Sequence, residues 1–144
     1  MERSRPLFQE RAREQYGLEI NSGPIGINSR PALVAEKYAE SQGKGAAFHR
    51  AVMQAYWQQA RSIDKQEVLQ EIAARVDLNT DGFATLLENP QFNAEVDDDI
   101  ALANEYGLDG VPALVFANRY LVVGAQPYDV LKRVVERVQD ESTG

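Results

Sequence analysis

Up to Gly107 the apolar residues of this chain recur at helical spacing. Only residues 113–117 (ALVFA) and 120–123 (YLVV) change to runs of strand formers. That late and single change of period is the strongest constraint on the fold. It allows one antiparallel hairpin, with Asn118 and Arg119 as its two-residue turn, on an otherwise helical body. The chain closes on residues 128–138, where Val130, Leu131, Val134, Val135 and Val138 form the apolar stripe of a helix packed on the hairpin.

The helical part divides at its turn residues. Ser4 and Pro6 open a first helix over residues 4–16, and Gly17 stops it. The glycine- and proline-rich stretch NSGPIGINS reads as a loop. Ser29 then caps a second helix that runs to about Gln42, with Gly43 as its stop. A third helix over residues 46–60 places Phe48, Val52, Ala55 and Tyr56 on one face, the spacing of a core stripe. Asp64 and Glu67 are spaced as a capping box for a fourth, whose apolar face is Val68, Ile72 and Val76. Two more helices fill residues 81–106, separated near Asn89 and Pro90. No internal repeat or linker interrupts the chain, so residues 1–144 are expected to form a single domain, with 1–107 helical and 108–140 in a ββα arrangement.

A chain of 144 residues with 44% hydrophobic residues can bury a core without covalent staples. It contains no cysteine, which removes disulfides, thiolate metal sites and any reaction in which this chain supplies an attacking sulfur. A formal net charge of −7 disfavours nucleic acid and anionic membrane surfaces. Arg3, Arg5, Arg11 and Arg13 alternate with Glu2, Glu10 and Glu14, as on a solvated helix face. The longest apolar run, residues 111–117, is far short of the roughly 20 residues that span a bilayer, and the charged start has no signal-peptide core. A soluble, cytoplasmic protein is expected.

Several motif matches carry less than their pattern suggests. DLNTDGFATLLE sets Asp77, Asn79, Asp81, Gly82 and Glu88 at the spacing of a calcium loop. However, Pro90 stops the outgoing helix, Ala84 stands where an aliphatic strand former belongs, and no second loop exists to pair with it. Thr80 capping a short helix with Phe83, Leu86 and Leu87 on one side explains the same residues, so no metal site is expected. Asp97, Asp98 and Asp99 are adjacent and face different ways on a helix, which again suggests a solvated face. His49, the only histidine, has no nucleophile or metal ligand placed beside it. Gly43, Lys44 and Gly45 lack the rest of a phosphate loop.

Pro112 is the informative residue. It cannot donate to a strand ladder, so it belongs at a first position, an edge or a bulge, and Gly110-Val111-Pro112 before a buried strand is a place where a cis bond could be held. With its surroundings, YGLDGVPALVFANRYLVVGAQPYDVLKRVVERV, the tripeptide resembles the C-terminal part of DsbA-like thioredoxin-fold proteins. More narrowly, it resembles the cytoplasmic bacterial oxidoreductase branch related to 2-hydroxychromene-2-carboxylate isomerases and kappa-class glutathione transferases. INSRPALVAEKYAESQGKG, AFHRAVMQAYW and LLENPQF resemble that branch's helical insertion, so the likeness covers nearly the whole chain. The expected fold class is therefore α/β: the helix-rich C-terminal part of a DsbA-like thioredoxin fold, a helical insertion followed by a hairpin and a terminal helix.

The resemblance implies a site. In such proteins the residue before the cis-proline offers its backbone to an extended thiol peptide. Here that residue is Val111, between Gly110 and Pro112. Gly124, Ala125 and Gln126 match the turn at which glutathione-using relatives hold the tripeptide. Those relatives carry a polar or acidic pair there, so no cofactor is expected, glutathione being the candidate. The resemblance begins after the βαβ unit that carries the family's cysteine or serine, so no catalytic residue is assigned. The family activity is thiol–disulfide exchange or glutathione-dependent isomerisation or transfer, and this chain is expected to be inactive alone. The alternative is a non-catalytic, peptide-binding or self-associating module.

Ala113–Phe116 has the composition of an interior strand but only one partner strand in sequence. Its free edge is expected to pair with a second copy, giving a homodimer, unless a preceding part of the protein or a strand within residues 17–28 covers it.

Overall fold

A computed structural model describes residues 5–142 of the protein. Glu2, Arg3 and Ser4 lie outside the described residues. The chain divides into two compact units, Met1–Asp98 and Asp99–Gly144.

The first unit is helical. It contains α1 (Arg5–Tyr16), α2 (Arg30–Ser41), α3 (Gly45–Trp57), α4 (Gln66–Arg75), α5 (Phe83–Leu87) and the start of α6 (Pro90–Glu105). Gly17 and Gly43 follow α1 and α2 with φ of +64° and +70°, the left-handed conformation that ends a helix without steric cost to glycine.

Small residues on α2 set the core. Ala32, Ala35 and Ala39 are buried and let α3 approach closely enough to bury Phe48, Val52 and Ala55 against them. Leu69, Ile72 and Ala73 of α4 and Phe83 of α5 complete the cluster together with Ile63 and Leu78, and Val68 and Val76 are only partly buried at its border. The buried line of α4 is thus turned by one residue from Val68, Ile72 and Val76, because Leu69 and Ala73 sit between them and pack more fully.

Several expected caps are replaced by neighbours. Ser29 makes no side-chain bond at the α2 N-terminus; the Asn28 side-chain oxygen accepts the Arg30 N–H instead, at 3.0 Å. The capping box at α4 does not form, since Lys65 is the cap position and the Asp64 carboxylate accepts the Ser62 hydroxyl at 2.5 Å. Gly82, with φ of +66°, holds the cap position of α5, and Thr80 takes part only through its backbone carbonyl. Asn79 Oδ1 accepts the Asp81 N–H at 2.8 Å, so this oxygen is used within its own turn. Asp97 is not merely solvated: Arg30 donates to it at 2.7 Å and to the Asn93 carbonyl at 3.2 Å, tying the start of α2 to α6.

Residues 17–28 hold no strand. They cross the end of α3, where Asn21 and Gly23 donate to the Trp57 and Tyr56 carbonyls at 2.7 and 2.6 Å and Ala60 donates back to Asn21 at 2.9 Å. Carbonyls that a helix end leaves without partners are satisfied in this way, and α3 ends at Trp57, earlier than the sequence pattern suggests.

The second unit holds the end of α6, β1 (Ala113–Phe116), β2 (Tyr120–Val123) and α7 (Tyr128–Ser142). β1 and β2 pair antiparallel with Ala113 opposite Val123 and Phe116 opposite Tyr120. The connection is three residues, Ala117, Asn118 and Arg119, not the two-residue Asn118-Arg119 turn: φ is positive at Ala117 and Asn118, and Arg119 donates to the Phe116 carbonyl at 3.0 Å. No described residue from 99 to 142 is buried. Leu114 and Leu121, on opposite faces of the hairpin, are 43% and 44% exposed.

Candidate functional site

The hairpin register decides what the sequence-assigned residues can do. Gly124 donates to the Pro112 carbonyl at 2.8 Å, so Pro112 is the residue opposite Gly124 and its backbone faces β2. In an antiparallel ladder this orientation alternates. Leu114 and Phe116 therefore also point inward, while Ala113 and Val115 turn their N–H and C=O away from β2. The donor that proline lacks is missing on the inner side, and the outer row of β1 keeps all of its donors.

The peptide bond between Val111 and Pro112 is cis. Val111 is 94% exposed, and among the described residues no hydrogen bond uses its backbone. Gly110 lies beside it with no heavy atom within 4 Å of where a Cβ would stand. The structure thus brings Gly110, Val111, Pro112 and Gly124 to one end of the hairpin, opposite its turn.

Gly124 has φ of +80°, which glycine adopts freely and other residues only with strain. That conformation redirects the chain so that the Gln126 amide donates to the Val123 carbonyl at 2.8 Å. Val123 faces outward on β2, so Gln126 blunts that edge, and Ala125 stays exposed. The two outer edges therefore differ: β2 is partly capped by its own chain, and β1 is open.

Sequence reasoning missed the cluster that holds α7 to this hairpin. The Tyr120 hydroxyl donates to Glu141 Oε1 at 2.6 Å, Arg137 donates to the same oxygen at 3.2 Å, and Arg119 lies 3.2 Å from Oε2. The Arg137 guanidinium also stands 5.1 Å over the Tyr120 ring. The Tyr120 hydroxyl, followed by Arg137, holds the Glu141 carboxyl below its ordinary value of 4.5.

A depressed carboxyl adds stability above its unfolded pKa and loses it as pH falls through the folded value. An NMR titration should find Glu141 ionised below pH 4.5 and the α7–hairpin contact weakening as the pH drops further. In Tyr120→Phe the Glu141 pKa should rise toward the ordinary value; an unchanged titration would mean that the hydroxyl does not set it.

Among the described residues no group of three or more histidine, cysteine, aspartate or glutamate side chains is placed to hold a metal ion, and no helix is long and apolar enough to cross a membrane. His49 Nδ1 lies 2.8 Å from Glu36 on the surface of the first unit.

Helices followed by a two-stranded antiparallel hairpin and a terminal helix match the fold of the DSBA-like thioredoxin domain. That family's profile matches residues 8–136, and the chain belongs to it. Among solved structures it is similar to the probable DsbA oxidoreductase SCO1869 of Streptomyces coelicolor, with a TM-score of 0.79 and 24% identity over 94% of this chain. It is also similar to a thioredoxin-like oxidoreductase from Silicibacter pomeroyi, with a TM-score of 0.63 and 30% identity over 83% of this chain. A curated relative, the ClpXP adapter protein SpxH of Shouchella clausii, is 28% identical over 113 residues, 73% of this chain. The chain spans 59%, 65% and 38% of the lengths of these three proteins.

Proposed function

We propose that this chain carries out no thiol–disulfide exchange of its own and that its role is to hold an extended polypeptide segment at Gly110, Val111 and Pro112 and along the outer edge of β1. The observation that carries the first half is the absence of cysteine from all 144 residues. Exchange proceeds by attack of a thiolate on a disulfide, and no other side chain here substitutes for it. The second half rests on the exposed Val111 backbone and on the outward N–H and C=O groups of Ala113 and Val115. An open row of this kind accepts a strand by main-chain hydrogen bonding. The adapter name of the Shouchella clausii relative supports a binding role over a catalytic one. Gly124, Ala125 and Gln126 follow β2, where Gln126 covers that strand's own edge, and neither Ala125 nor Gln126 offers a charge to the ends of glutathione.

Both halves are measurable on the purified chain. In an insulin reduction assay with dithiothreitol, and with glutathione disulfide as substrate, the rate should equal that of buffer; turnover above it would disprove the inactivity. For binding, an extended pentapeptide of alternating Thr and Val with one Cys is titrated into isotopically labelled protein. Amide shifts should gather at Gly110, Val111, Ala113 and Val115 and spare Leu121. If no shifts follow the peptide, the binding role fails. If the same amides shift with protein concentration instead, a second copy occupies the edge and the chain is a homodimer.

A further inference from the structure

The first unit carries a groove that the proposed function does not use. It lies between α1, residues 18–20 and the outer side of α3, with a volume of about 570 Å³ and a floor of Phe8, Leu18, Ile20, Met53 and Trp57. On α3 its lining residues are Arg50, Met53, Gln54 and Trp57, at i, i+3, i+4 and i+7. This is a second stripe, separate from the Phe48, Val52 and Ala55 stripe that is buried. Phe8, Leu18, Met53 and Trp57 are all exposed in part.

The walls are fixed by polar contacts outside the cavity. Arg13 holds Glu19 through two hydrogen bonds of 2.8 and 3.1 Å, and Gln9 donates to the Ile20 carbonyl at 2.9 Å, so residues 19 and 20 are pinned to α1. The bonds from Asn21 and Gly23 pin the next residues to α3. The Phe8 and Trp57 rings meet across the groove at 5.8 Å. At the rim, the Arg50 guanidinium makes no hydrogen bond or ion pair among the described residues, unlike Arg13. The Gln54 and Gln58 amides, also at the rim, make no side-chain hydrogen bond there either.

From this we infer that the groove binds a small amphiphile with an apolar chain and a single carboxylate head. The floor takes the chain. Arg50 presents the planar fork that suits a carboxylate, and the glutamine amides are further donors. The volume is of small-ligand scale. One cation in a chain of net charge −7 disfavours a polyanion, whereas a single carboxylate is governed by its nearest partner, because salt screens charges beyond roughly 10 Å.

Trp57 is the only tryptophan and lines the groove, so its emission reports occupancy directly. Dodecanoate, below its micelle concentration, should give a saturable change in emission with unchanged far-UV circular dichroism. Shortening to decanoate should weaken binding by roughly fifteenfold, from about fourfold for each of the two methylenes removed. Arg50→Gln should weaken dodecanoate by about threefold to fivefold, the size expected of an exposed ion pair, and leave dodecanol unchanged. No saturable signal, or equal dodecanoate binding by Arg50→Gln, would overturn the proposal. A shift of Trp57 emission with protein concentration alone would also overturn it, as the groove would then be covered by a second copy.

Discussion

Phe48→Ala should cost about 3–5 kcal/mol of unfolding free energy in urea titrations, the range for removing a buried phenylalanine. Phe48 is completely buried in the cluster it shares with Ile63, Leu69, Ile72, Leu78 and Phe83. The facing side of α2 is alanine at 32, 35 and 39, and Tyr38, the long α2 side chain at the cluster's border, is held by its hydroxyl's bond to the Asn79 carbonyl at 2.9 Å, so the space is not readily filled from that helix. A poorly collapsing site belongs at the upper end of the range. Against a typical total of roughly 5–15 kcal/mol, such a loss unfolds a large share of the molecules at ordinary temperature. A cost under about 1 kcal/mol would show that the helices close over the cavity and that the alanine face does not limit repacking.

Gly23→Ala should be the next most damaging change, at about 1–3 kcal/mol, the usual cost of forcing extra volume into a packed site. The reason is space: a Cβ on Gly23 would stand 2.5 Å from the Tyr56 ring and 2.6 Å from the Arg61 carbonyl oxygen. Neither can yield cheaply. The Tyr56 hydroxyl is bonded to the Pro24 carbonyl at 3.1 Å and its ring lies edge-on to Trp57 at 5.0 Å, while the Arg61 oxygen is backbone. The displacement should pull residues 18–20 away from α1 and α3 and change Trp57 emission along with stability. A variant with full stability and native emission would mean that this crossing adjusts without cost.

The contrast between these two sites shows what could be read in the sequence. Phe48 belongs to a periodic pattern, and α3 with its buried face is legible in one dimension because every fourth residue repeats the signal. Gly23 belongs to no pattern. Its role depends on the arrival of Tyr56 and Arg61 from far along the chain, so NSGPIGINS reads as a loop and nothing more. The caps failed for a different reason: Asn28 beside Ser29, and Ser62 two residues before Asp64, offer equivalent chemistry within one turn, and only the backbone path chooses between them.

The hairpin was readable from its strand formers and from Pro112, while the turn was misplaced because Ala117 carries no sign of the positive φ it adopts. Gly110, Val111 and Pro112 were singled out as a site by the family likeness alone, since no periodic pattern marks them. The groove at Trp57 was legible in part: Arg50, Met53 and Trp57 share a helical face that the core stripe does not use. A second apolar stripe on a helix already packed on one side was the available signal.

Pro112 does not by itself keep the hairpin from sliding. Its missing donor faces β2 and forgoes one bond to the Gly124 carbonyl, whereas slipping β1 by one residue would turn that nitrogen to the outer flank, where no ladder bond is lost. What opposes the slip is that it reverses which face every side chain of β1 meets. Alignment is therefore left to the side chains and the turn, and the cost of the proline is confined to the inner row.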